Sequence, residues 1–208
     1  MRVQKLILAG LVVGGVAVVP AEATIIGVSL ELSSLGVAAA IIAPPASVTN
    51  AFVENQGQQG FDELQGVLLA APLLVDGGSI AAGTVVDSQM IFLNREQEED
   101  DLLSHIVTWT FSGIILGVMS NTNGSLEAAS TPILGLPGTT YEAPFSNRGL
   151  EAADGYTILG PGNQLRLDLR VTQPGDWVRV VTAPVPEPGT LLLLGSGLTG
   201  LAMRRRRR

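Results

Sequence analysis

Apolar positions in this chain fall in short runs and not in long helical stripes. Between Thr24 and Thr182 the runs are rich in β-branched residues and are broken by Gly, Pro, Asn or Asp about every ten residues, the spacing of antiparallel sandwiches and barrels. Strands are expected over Ile25–Leu32, Val37–Ile42, Gly66–Ala70, Gly83–Leu93, His105–Phe111, Ile114–Met119, Thr140–Phe145, Gly155–Leu159, Gln164–Val171 and Trp177–Thr182. The alternation is clearest in Leu165-Arg166-Leu167-Asp168-Leu169-Arg170-Val171, where apolar side chains fall on one face and charges on the other. Turn chemistry separates the runs at Asp76-Gly77-Gly78, Asn121-Thr122-Asn123-Gly124, Pro137-Gly138, Gly160-Pro161-Gly162-Asn163 and Pro174-Gly175-Asp176. Helical stretches are limited to 48–54 and 146–153, each too brief to build a bundle. The fold expected is all-β, an antiparallel β-sandwich of jelly-roll-like form over 46–183, with 24–45 either its first strands or a loosely ordered lead-in.

The two ends have a different pattern. Arg2 and Lys5 precede an apolar run from Leu6 to Val19, then helix-breaking Pro20 and the small-residue pattern Ala21-Glu22-Ala23. This is the layout of a secretory signal peptide over 1–23, with Ala21 and Ala23 recognised by signal peptidase and Thr24 as the first mature residue. The apolar run is shorter than the ~20 residues that span a bilayer, which disfavours an uncleaved anchor. At the other end, residues 184–208 open on a stiff segment in which each proline fixes φ and keeps its predecessor extended. An apolar helix is expected over 190–203, followed by Arg204, Arg205, Arg206, Arg207 and Arg208, a block the positive-inside rule holds on the cytoplasmic side.

That tripartite tail resembles the PEP-CTERM sorting signal of Gram-negative bacteria, with Val185, Pro186, Glu187, Pro188 and Gly189 as the motif. The resemblance implies export by the general secretory route and transient retention in the inner membrane by a C-terminal transmembrane helix. It further implies cleavage by an exosortase near the motif and arrival at the cell surface or in an exopolysaccharide or biofilm matrix. A permanent single-span anchor is the alternative, since arginines can snorkel and the bilayer can thin around a short helix. Around Phe61-Asp62-Glu63-Leu64-Gln65, Gly83–Met90 and Gly175–Arg179 the middle is similar to one group of PEP-CTERM ectodomains. A histidine often stands there where this chain has Gln89, so no metal or catalytic role of that histidine carries over.

Composition narrows the chemistry. Cysteine is absent and His105 is the single histidine, which removes thiol nucleophiles, Cys-ligated metals and multi-histidine sites. The formal charge of −7 hides an uneven distribution, because five arginines face seventeen acids between Thr24 and Pro184. A domain with that balance lacks the basic patch that nucleic acid requires. Gly195-Ser196-Gly197-Leu198-Thr199-Gly200 fits a dinucleotide-binding pattern, yet has neither the following strand nor the later acid that the fingerprint needs. His105 lacks a nucleophile elbow nearby and is expected to be a partly exposed strand-edge side chain. The acidic run 96–101 lacks the alternating spacing of a calcium loop and is expected to be solvated. Trp109 and Trp177 sit in apolar contexts that read as core. No cofactor, metal site or catalytic set is expected. The ectodomain is therefore read as a structural or adhesive component, and the alternative is a secreted polysaccharide-binding module or hydrolase.

Overall fold

The computed structural model describes residues 22–49, 55–95, 102–172 and 175–185. The expected signal helix, the acidic run 96–101 and the apolar segment 190–203 lie outside them. The described residues belong to one compact unit, Pro20–Pro186. Among them no helix is long and apolar enough to cross a membrane.

The elements in chain order are strands β1 (Ile25–Ser33), β2 (Ala40–Ile41), β3 (Gln59–Asp62), β4 (Val67–Leu68), β5 (Leu73–Val75), β6 (Gly78–Ile80), β7 (Val85–Asn94), β8 (Leu103–Phe111) and β9 (Ile115–Met119). Helix α1 (Ser125–Leu134) follows, then β10 (Gly155–Leu159), β11 (Gln164–Val171) and β12 (Gly175–Thr182). One sheet has the order β1-β8-β11-β10 and is antiparallel throughout. The other runs β2-β3-β7-β12-β9, with β4 beside β7 beyond β3, and is antiparallel except for the parallel β2–β3 pair. β5 and β6 form a separate hairpin around the Asp76-Gly77 turn.

The main core draws on both sheets: Ile25, Val107, Trp109, Leu165, Leu167 and Leu169 from the first, and Ile91, Leu93, Val118, Val178 and Val180 from the second. The sheets therefore lie face to face, and each fully buried aliphatic or aromatic side chain contributes about 1.5–3 kcal/mol. The second sheet is covered on its other face too. There Phe61, Met90, Phe92 and Trp177 form one cluster, and Val86, Met119, Val181, Leu134 of α1 and Leu73 of β5 form another. This is why β12 is buried along its whole length and reads as a nearly continuous apolar run.

β10 and β11 coincide with the expected ranges, and β11 buries Leu165, Leu167, Leu169 and Val171 while its charged positions are half-buried or exposed. Residues 24–45 supply β1, paired along its length with β8 in the first sheet, and β2, paired with β3 in the second. Three local expectations are corrected. Thr140–Phe145 is not a strand: Thr140 makes an isolated bridge to Ser47, Pro144 interrupts any ladder, and Phe145 stacks edge-on against Trp177, 5.6 Å between ring centres. Residues 146–153 form turns, with Asn147 at a positive φ of 64°. His105 is buried on the interior strand β8 and its Nε2 donates to the Val37 carbonyl at 2.9 Å; burial holds its pKa below the ordinary value.

Candidate functional site

Two polar clusters stand out in a mostly apolar interior. The first lies where the domain begins and ends. Ala23 is fully buried; its N–H donates to Asp87 Oδ2 at 2.6 Å, and its carbonyl accepts from Gln89 Nε2 at 2.7 Å. Thr24 N donates to Ser112 Oγ at 2.9 Å and Ile25 N to Asp62 Oδ1 at 2.9 Å. Asp87 and Gln89 are themselves fully buried on β7, and Gln89 also donates to Thr182 Oγ1 of β12 at 3.2 Å. The exit of the chain is beside this entrance. Ala183 N donates to the Ile114 carbonyl at 2.8 Å, and a side chain at Gly113 would collide with the Ala183 carbonyl and lie 2.7 Å from the Ala23 methyl. Only glycine lets the two ends of the domain pass that close to the β8–β9 turn.

The second cluster sits on the outer face of the second sheet, under α1. Arg179 of β12 forks onto Glu63, Nε to Oε2 at 2.6 Å and Nη2 to Oε1 at 2.7 Å, the bidentate geometry of a strong pair. Its Nη1 donates to the Glu127 carbonyl at 2.5 Å and to Ser130 Oγ at 2.6 Å, both on α1. Arg148 pairs with the Glu127 carboxylate and lies over the Trp177 ring, 5.5 Å from its centre, while Arg179 lies 5.4 Å from the centre of the Tyr141 ring. Glu63, Glu127, Arg148 and Arg179 are all buried. Burial outweighs the attraction of Arg179 and Arg148 and pushes Glu127 up to about 7. The local backbone is built for this. Gly124 caps α1 at φ 65°, and a Cβ there would lie 2.5 Å from Arg148 Cδ. Closed in this way, the network joins α1 and the segment carrying Arg148 to the sheet.

Among the expected site residues, Ala23 and Val185 are described, and Ala21, Pro186, Glu187, Pro188, Gly189 and Arg204 to Arg208 are not. Ala23 is brought together with Asp87 and Gln89, and Ile25 with Asp62, none of which the sequence marks as partners. The charge network was legible only as an anomaly: Arg179 interrupts the apolar run Trp177-Val178-Arg179-Val180-Val181, which on a strand buried on both faces demands a buried counter-charge. Among the described residues no group of three or more acids and histidines is placed to hold a metal ion.

Comparison with known families adds one finding. Residues 184–208 match the family model for the PEP-CTERM protein-sorting motif. No curated protein and no solved structure matches the chain. The match begins one residue after Ala183, whose N–H makes the backbone bond to Ile114 described above. The motif implies export, surface sorting in a Gram-negative bacterium and processing by an exosortase. The sorting segment thus starts where the β domain stops, and the chain carries a PEP-CTERM protein-sorting motif over residues 184–208.

Proposed function

We propose that the chain is exported behind a cleavable leader, held by its 190–203 segment in the inner membrane, and cut by an exosortase near Pro186-Glu187-Pro188. The released domain is a two-layer, jelly-roll-like β-sandwich that serves as a structural or adhesive component of the cell surface or exopolysaccharide. One observation carries the reading: the motif match abuts a folded unit whose last strand, β12, ends at Thr182. The prolines of that segment fix φ and remove backbone donors, which suits a stretch that a protease must bind in extended form. A role in structure is favoured by the chemistry of the interior, where Asp87, Gln89, Glu63 and Arg179 bond to the fold itself.

The test separates retention from cleavage. Replacing Pro186, Glu187 and Pro188 with alanine should leave precursor in the membrane fraction. Replacing Arg204 to Arg208 with serine should weaken retention and let uncut precursor escape. Immunoblots of membrane and released fractions read both variants. Release of the alanine variant at the mature mass overturns motif-directed cleavage, and a membrane-bound wild-type end product that keeps its arginines favours a permanent anchor.

A further inference from the structure

The entrance cluster has an imbalance of charge. Asp62 and Asp87 both accept hydrogen bonds from the first backbone amides of the domain, and the nearest additional charge on that segment, Glu22, is negative. Burial, Asp87 and Glu22 raise the Asp62 pKa, opposed by the Ile25 amide. Asp87 is fully buried, and its other oxygen, Oδ1, accepts from Gly66 N at 2.5 Å. Two carboxylates held by amides alone form a site that a cation would complete.

Removal of the leader creates one at this place. Cleavage after Ala23 takes away Glu22 and turns Thr24 N, one peptide unit from each of the two carboxylate-bound amides, into an ammonium. One negative charge leaves the cluster and one positive charge arrives. The same cut withdraws the Ala23 N–H from Asp87, which would leave a buried carboxylate one partner short unless the new terminus replaces it. One residue spans about 3.5 Å, so a shift of that order, in which Thr24 N leaves Ser112 Oγ, brings the ammonium to the position Ala23 N occupies. Gln89 loses the Ala23 carbonyl but keeps Thr182.

We propose that Asp62 and Asp87 form the receptor for the α-ammonium of Thr24, so that signal-peptide removal exchanges an amide contact at the entrance of the domain for an ion pair. The inference rests on the export reading above and adds a binding site to it. In the precursor the seat is filled by a neutral amide, and in the mature chain by an ion pair.

The sequence supplies a clean probe. Lys5 is the only lysine, so in the mature chain the α-amine is the only primary amine and an acetylating N-hydroxysuccinimide ester reports on it alone. Mature protein from the surface fraction is treated with the ester while folded and while unfolded in urea, and the N-terminal peptide is followed by mass spectrometry. Folded protein should react at least about tenfold more slowly, because a buried ion pair keeps the amine protonated and shielded. Asp62→Asn and Asp87→Asn should bring the folded rate back toward the unfolded one. Equal rates for folded and unfolded wild-type protein overturn the proposal even if Asp87→Asn fails to fold. A terminus at Thr24 that reacts freely leaves the export reading standing and removes the receptor. A terminus at Met1 overturns both, and a terminus at another residue overturns the assignment to Thr24.

Discussion

Replacing Arg179 with methionine probes the energetics of the buried network most directly. Arg179 presents five donor contacts to Glu63, the Glu127 carbonyl, Ser130 and Thr131. Methionine keeps most of the stem volume and removes all five. Glu63 is then left with Ser88 Oγ, which donates at 2.7 Å, and the Tyr141 hydroxyl, but with no Arg179 guanidinium on its carboxylate. A buried charge stripped of its partner costs about 3–5 kcal/mol. For a domain of this size that lowers the melting temperature by about 10 °C or more. The double variant Arg179→Met, Glu63→Met removes the orphan together with its partner, and an apolar pair in the same space should recover most of the loss. Urea unfolding followed by far-UV circular dichroism gives both numbers. If the single variant loses less than about 1 kcal/mol, the pair is not desolvated as described. If the double variant loses the sum of both singles, the two side chains are not coupled, and the reasoning fails.

Other outcomes follow from the same structure. Glu127, pushed up to about 7 from 4.5, keeps a proton in the native state that the unfolded chain has released. Stability should therefore fall as pH rises from about 4.5 to about 7, by up to about 3 kcal/mol, and flatten above; Glu127→Gln should remove that slope in a pH series of melts. Asp176, raised by burial, adds to the same direction. Gly124→Ala should cost about 1–3 kcal/mol through the positive φ and the contact with Arg148, read by chemical denaturation. A chain lacking residues 24–45 should fail to give a soluble β-rich product, because it loses β1, bares the edge of β8 and removes Ile25 from the core; a soluble product with an unchanged dichroism spectrum would contradict the pairing.

Strands with one face in the core and one toward solvent were legible because their alternation is written in the residues: β11 and β8 are the clear cases. The second sheet is harder to read. β7 and β12 are covered on both faces, so they appear as apolar runs with stray polar residues, and nothing in Asp87, Gln89 or Arg179 says which face each one takes. Short β3, β5 and β6 carry too few residues to show a period. Helix α1 was missed for a related reason. Its buried positions, Glu127, Ser130 and Leu134, have helical spacing but are mostly polar because they face Arg179, and Pro132 lies within it. The sorting segment needed no fold to be recognised, since its signal is composition in order along the chain. The seat for residues 23–25 depends on contacts 37 to 88 residues apart, which no local pattern encodes.

The meeting of Ala23 and Ala183 at Gly113 has a consequence for how the domain stands. β1 begins and β12 ends at one pole, whereas Ser33, Asn94, Leu103, Val171 and Gly175 mark strand ends at the other. With β7 ten residues long, the distance between the poles is about 30 Å. The described chain thus enters and leaves the sandwich at one pole, so a tether on either terminus would hold the domain by that pole and leave the other free.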